Sequence, residues 1–363
     1  MERHFFIYRN MATFRYAMLE RKHVTVGFIG GSITDPCGRN RWGEFLISQL
    51  IGNYPEVTVD VENVAIGATG SDYAVLRVEK DLVPHGCDLI FIEYAVNDSK
   101  MPSHLRNASR EGLIRKLLHG TQADLVIVYT YCAEMLEPML DGKMADSVAE
   151  FEMLARHYGI SSVFMADYAL NEVFRGTLRW EEWLPDGLHP ENVGSRFYAK
   201  PVYDLMEYAL GDSDGKPICR QIPAVYSDNW EFAESLPLSS LERIGYWRLY
   251  RCLDRPLVQQ VLSSTCIGSK FRCRFVGTGL VLTVSFGWMA ADYRWRINDG
   301  EWHTERYERP EWMDDHNWLK TKTLVHGLKS DTYTAEFEIL PPIEDGAHKG
   351  TAFEICAVGI LKN

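Results

Sequence analysis

Several signals are missing from this chain. None of its eight cysteines forms a Cys-x-x-Cys pair, and no histidine stands at a zinc-ligand distance from one. Structural zinc and thioredoxin-like redox chemistry are therefore not expected, and no metal site is assigned. No window approaches the ~18 uncharged apolar residues of a membrane-spanning helix, so no membrane partner is expected. Basic residues are in the minority, 38 Lys and Arg against 50 Asp and Glu, for a formal net charge of -12. Such a surface repels phosphate backbones, which argues against nucleic acid as a partner. Glycines cluster at Gly27, Gly30 and Gly31, but the G-x-G-x-x-G spacing and a P-loop lysine are absent, so a nucleotide cofactor is not implied. Met1–His23 carries an apolar Phe5–Tyr8 run, but Arg9, Asn10 and Arg15 interrupt it and no small-residue cleavage site follows. It reads as an amphipathic helix docked on the domain rather than an export signal. Scattered thiols without an export signal suggest free cysteines and a cytoplasmic location.

What is present is a 363-residue chain, 46% hydrophobic and 24% charged, which suits about two globular domains. Residues 1–214 alternate between two periodicities. The β-like runs are Val24–Ile29, Val57–Asn63, Leu89–Tyr94, Leu125–Thr130 and Ser161–Met165. Helical patterns fill the gaps at Trp42–Ile51, Asp72–Leu82, Arg106–Leu118, Ala145–Tyr158 and Asn192–Leu210, with Pro201 a candidate kink in the last. This alternation predicts an α/β domain with a parallel sheet covered on both faces. The breaker-rich stretch Gly211–Pro217 marks a change. Beyond it, residues 215–363 show β alternation at Phe271–Phe275, Leu280–Phe286, Tyr293–Ile297, Thr332–Ile339 and Phe353–Ile360, with a hairpin signal at Asn298-Asp299-Gly300. A β-sandwich is expected there, with Trp295 in its core.

Open α/β sheets bind ligands at the carboxyl ends of their strands. The first strand is followed by Gly30-Gly31-Ser32-Ile33-Thr34, the second by Ala65–Ser71, and the third by Ala95-Val96-Asn97-Asp98. A late loop carries Asp186-Gly187-Leu188-His189-Pro190. Together these segments offer what acyl transfer needs. Ser32 is a candidate nucleophile on a glycine-rich turn, His189 a base, Asp186 its orienter, and Asn97 a side-chain donor to an oxyanion. Asp98 reads as a loop anchor. Asp35 can line the pocket or serve as a helix-start carboxylate.

The sequence resembles the SGNH (GDSL-like) hydrolase superfamily. Gly30-Gly31-Ser32-Ile33-Thr34 looks like its nucleophile block, Tyr94–Asp98 like its G-x-N-D block, and Asp186-x-x-His189 with Pro190 like its D-x-x-H block. Asn63–Gly70 is similar to its N-x-G-x-x-G region, with Ala65 and Ala68 where glycine is usual. The resemblance implies a flavodoxin-like, five-stranded parallel sheet in a three-layer sandwich. It also implies catalysis by Ser32, Asp186 and His189 without a cofactor. The oxyanion donors it implies are the Ser32 N–H, the Asn97 amide and a backbone N–H of Ala68, with Gly67 and Gly70 as alternatives.

The second half is similar to the sandwiches attached to two-domain bacterial carbohydrate acetylesterases. Trp312 and Trp318, in the polar stretch Pro310–Trp318, can stack on sugar rings. Such a loop can equally cover the pocket or make a homodimer contact. The expected reaction is removal of O-acetyl groups from acetylated mannan or xylan oligosaccharides. The alternatives are a short-chain, lipid or thioester esterase, and a non-catalytic glycan-binding protein.

Overall fold

The computed structural model describes residues 4–36, 38–212, 216, 219–252, 255, 257–306, 317–342 and 350–362. The chain divides into two units, 1–229 and 230–363.

In the first unit the strands are β1 Phe5–Phe6, β2 His23–Gly30, β3 Thr58–Asn63, β4 Leu89–Glu93, β5 Asp124–Tyr129 and β6 Ser161–Phe164. The helices are α1 Ala12–Tyr16, α2 Trp42–Asn53, α3 Ser71–Asp81, α4 Ser103–Gly120, α5 Leu136–Leu140, α6 Asp146–Tyr158, α7 Met165–Phe174, α8 Trp180–Trp183 and α9 Glu191–Gly211. The sheet order is β1-β6-β5-β4-β2-β3, parallel from β3 through β6. This is the flavodoxin-like order with one strand added at its edge. β4 and β5 are buried along their whole length, which is why Leu89–Ile92 and Leu125–Val128 read as unbroken apolar runs.

The added strand corrects the N-terminal expectation. Phe5 and Phe6 form no helix; they pair antiparallel with Val163 and Ser162. The outer edge of β6 would otherwise present unpaired N–H and C=O groups, and β1 covers them. Helix begins only at Ala12 and runs through a wider turn at Ala17–Arg21 to Lys22, whose φ of 55° ends it. The packed core sits on either side of the sheet. Phe28 and Phe91 stack at 5.3 Å, and Trp42 of α2 meets both edge-on. Each fully buried ring of this size contributes roughly 1.5–3 kcal/mol. α9 is continuous, with Pro201 buried inside it.

The first unit extends past the breaker-rich stretch at 211–217. Arg220 donates to the carbonyls of Leu118, Thr121 and Ala123, where α4 ends and leaves acceptors unpaired. Glu111 accepts the N–H groups of Val225 and Tyr226 at 2.6 and 2.8 Å. These ties draw residues 219–229 into the first unit, so the division falls after Asn229 rather than near 214.

The second unit holds two antiparallel sheets. One runs Trp318–Val325, Gly279–Phe286, Phe353–Leu361, Val261–Ser264, Arg248–Tyr250, with Glu234–Ser235 also paired to Phe353–Leu361. The other runs His303–Glu305, Tyr293–Ile297, Asp331–Ile339, Lys270–Gly277, Glu242–Ile244. Their inner faces supply the core, including Phe271 stacked on Phe337 at 4.3 Å and the expected Trp295. Asn298-Asp299-Gly300 makes the anticipated hairpin, with Asn298 at a φ of 52° and Tyr293–Ile297 paired to His303–Glu305. Among the described residues, no helix is long and apolar enough to cross a membrane.

Candidate active site

The strand order reverses between β2 and β4, the point at which open α/β sheets place their ligands, at the carboxyl edge. Ser32 follows β2 and Asn97 follows β4, so the two flank that point. The chain turns sharply after Gly30: Thr34 and Asp35 N–H both donate to the Gly31 carbonyl, at 3.1 and 2.9 Å. Ser32 is left half-buried at the apex.

Ser32 Oγ lies 2.8 Å from His189 Nε2. His189 Nδ1 lies 2.7 Å from Asp186 Oδ2. An ionised carboxylate only accepts, so the neutral ring carries its proton on Nδ1 and presents Nε2 to the serine hydroxyl. Asp186 Oδ1 accepts the N–H groups of Leu188 and His189, at 2.9 and 2.7 Å. One carboxylate thus shapes its own loop and orients the ring. Gly187, at a φ of 82°, permits this tight turn. Burial pushes the Asp186 carboxyl up. The N–H of His189, the imidazole and the N–H of Leu188 outweigh that and hold it below the usual aspartate range.

Asn97 packs against the nucleophile turn so closely that a Cβ at Gly31 would lie 2.0 Å from its Oδ1. Only glycine at 31 lets that amide stand beside Ser32. Of the three backbone donors considered, Gly67 is spent: its N–H donates to Asp35 Oδ2 at 2.6 Å. Gly70 backs onto buried carboxylates, where a Cβ would lie 2.6 Å from Asp98 Oδ1. The Ala68 N–H donates to no described group, and the residue is exposed with a φ of 61°. That left-handed backbone is where glycine costs nothing and alanine is strained, which accounts for the glycine usual at this position in the resembling family.

Asp35 does not line an open pocket. It is buried, with its carboxylate turned to Gly67. Trp318 is no free loop residue either. It opens a strand and packs on the core of its own sandwich, with Arg255 above its ring at 5.8 Å. Trp312 lies outside the described residues.

Glu93 escaped the sequence reading, although a charge ending an otherwise apolar buried strand is its signal. Fully buried, its carboxylate accepts from Thr130 Oγ1 at 2.9 Å, Gly31 N at 3.3 Å and Thr34 Oγ1 at 3.2 Å. It clips the nucleophile turn to β4 and to the end of β5. Burial pushes its carboxyl up to about 7, although all three donors favour the charged form. A folded-state value raised above the unfolded one gives stability that is present below about 4.5 and lost as pH rises through about 7. Glu93→Gln removes this titration. Its Tm is expected to fall less than that of the wild type between pH 5 and pH 8 in parallel thermal melts, and equal slopes would exclude the assignment.

A serine, a histidine and an aspartate in hydrogen-bonded relay at the switch point of a flavodoxin-like sheet, with amide donors beside the serine, are the equipment of a carboxylic ester hydrolase. Residues 28–197 match the GDSL-like Lipase/Acylhydrolase family. That match lies within the first unit, and with this site geometry it makes the protein an ester hydrolase. Along its length the chain is similar to the solved structure of a two-domain esterase (CEX) active on acetylated mannans, at 18% identity, with 98% of this chain and 97% of that one covered and a TM-score of 0.82. The same esterase co-crystallized with mannopentaose matches at 19% identity, the same coverage and the same TM-score. Axe2, an acetylxylan esterase from Geobacillus stearothermophilus, is 21% identical over 52% of this chain and 95% of that one, with a TM-score of 0.42. No curated protein matches significantly.

Proposed function

We propose that this protein is a serine esterase that removes O-acetyl groups from carbohydrates, with acetylated mannan or xylan oligosaccharides as substrates. The observation that carries the reading is the relay from Ser32 Oγ through His189 to Asp186, with links of 2.8 and 2.7 Å. Ser32 attacks the acetyl carbonyl while His189 Nε2 takes its proton. The N–H groups of Ser32 and Ala68 and the Asn97 amide receive the charge that develops on the carbonyl oxygen. His189 then returns the proton to the sugar oxygen as its bond to the acetyl carbon breaks, and the sugar leaves as a hydroxyl. Water, deprotonated by the same nitrogen, hydrolyses the acetyl-enzyme and frees Ser32. The full-length likeness to an esterase active on acetylated mannans supports the carbohydrate part. We place the reaction in the cytoplasm, a compartment suited to the free cysteines of the described residues.

Acyl-chain preference tests this. Mass spectra of acetylated manno- and xylo-oligosaccharides should show stepwise loss of acetyl groups. Among nitrophenyl esters, acetyl should exceed butyryl and leave octanoyl barely cleaved. A steep preference for octanoyl would point to a lipid or thioester substrate and overturn the acetylesterase reading.

A further inference from the structure

Ser32 and His189 stand on separate loops, 157 positions apart in the sequence. Something must set the distance between them. Resting on the esterase reading, we propose that Asn40 is a positioning residue that clasps the serine turn to the histidine loop. Its Nδ2 donates to the Ser32 carbonyl at 3.0 Å, and its Oδ1 accepts the Glu191 N–H at 3.0 Å. Glu191 comes two residues after His189 and opens α9. The partners fix the orientation of the amide, since a carbonyl can face only the NH2 group and an N–H only the oxygen.

The residue is 8% exposed and both polar ends of its side chain are used on backbone, so it holds and does not touch substrate. No other side chain of similar size fills the role. Aspartate has no donor for Ser32, and serine is too short to span both partners. Glu191 adds a second reason for a clasp. Its φ of 44° is a left-handed conformation that a residue with a Cβ keeps only when its surroundings hold it there. One residue on, the Arg41 N–H donates to Ser195 Oγ at 2.9 Å and pins the same loop to the first turns of α9. The serine turn is therefore tied to the helix that follows His189 by side-chain bonds directed at backbone groups.

The control ties α2 to the same helix, α9, away from the triad. Asn53 at the end of α2 donates to Tyr203 Oη of α9, twelve residues and about 18 Å along the helix from Glu191. Asn40→Ala, Asn40→Asp and Tyr203→Phe should be compared for Tm, for kcat and KM on an acetylated oligosaccharide, and for the rate at which a fluorophosphonate labels Ser32. Both Asn40 variants are expected to lose about 100-fold in kcat and in labelling rate, with KM within about threefold of wild type, because small misplacements of reacting groups cost that much. Tyr203→Phe should lower Tm and leave both rates intact. Wild-type labelling in folded Asn40 variants, or an equal loss in Tyr203→Phe, overturns the proposal. Failure of the wild type itself to be labelled overturns the esterase reading, and this proposal with it.

Discussion

Ser32→Ala is expected to lower acetate release by about a million-fold, because a nucleophile and its base act as one unit. The expected Tm is unchanged. The side chain is half-buried, its Oγ meets His189 Nε2, and alanine keeps the Cβ that packs near Gly67. His189→Ala should lose as much, and the double variant no more than either single one. Asp186→Asn should lose less, at most about 10⁴-fold. Its Oδ1 can still accept the N–H groups of Leu188 and His189, but its amide would face Nδ1 and force the wrong tautomer. The Asp186 side chain is 57% exposed, so water can replace part of what it supplies. The measurements are kcat/KM on an acetylated oligosaccharide and a thermal melt of each variant. Activity of Ser32→Ala within tenfold of wild type would place the nucleophile elsewhere.

The groups proposed to act on substrate were legible in the sequence because they sit in short local segments in the loops at the carboxyl edge of the sheet. Ser32 and the Asp186–His189 pair each lie beside a glycine that shapes the turn, and Asn97 follows soon after the apolar run Leu89–Ile92 that marks its strand. The groups that hold them were not legible. Glu93 reaches Gly31 and Thr130, and Asn40 reaches Glu191, all far away in the chain, and no periodicity records such a partner. Asp35 was ambiguous for the same reason, since its role depends on Gly67, 32 residues away. The parallel strands were readable where burial on both faces made them uniformly apolar. Phe5–Phe6 was not, because two residues carry no period and their pairing is set by the free edge of β6. In the second unit the short strands Glu242–Ile244 and Arg248–Tyr250 are largely exposed, so alternation gave no signal for them.

Arg110 carries the second large effect. It and Asp98 form an ion pair at 2.7 Å, both side chains wholly buried. Burial draws the guanidinium down from its usual range, and Asp98 opposes that. The guanidinium also donates to the Ser147 carbonyl, to Ser147 Oγ and to the Tyr94 carbonyl, and it covers the ring of Phe151 at 4.4 Å. Ser147 Oγ in turn donates to the Ala95 carbonyl at 2.5 Å. Asp98 Oδ1 accepts the Ser71 N–H that opens α3. The loop from Tyr94 to Asp98, which presents Asn97, is therefore bonded on both sides of that residue. Arg110→Met is expected to cost about 3–5 kcal/mol in denaturant unfolding, because it leaves the Asp98 carboxylate buried and without its cation. Pairing it with Asp98→Asn should recover much of that loss, since no unpaired charge is then buried. It should not recover kcat, because the loop still lacks the guanidinium that fixes Asn97 beside Gly31. If the double variant regains stability and full activity together, Arg110 serves the fold alone. If it regains stability but stays slow, the buried pair exists to place an oxyanion donor.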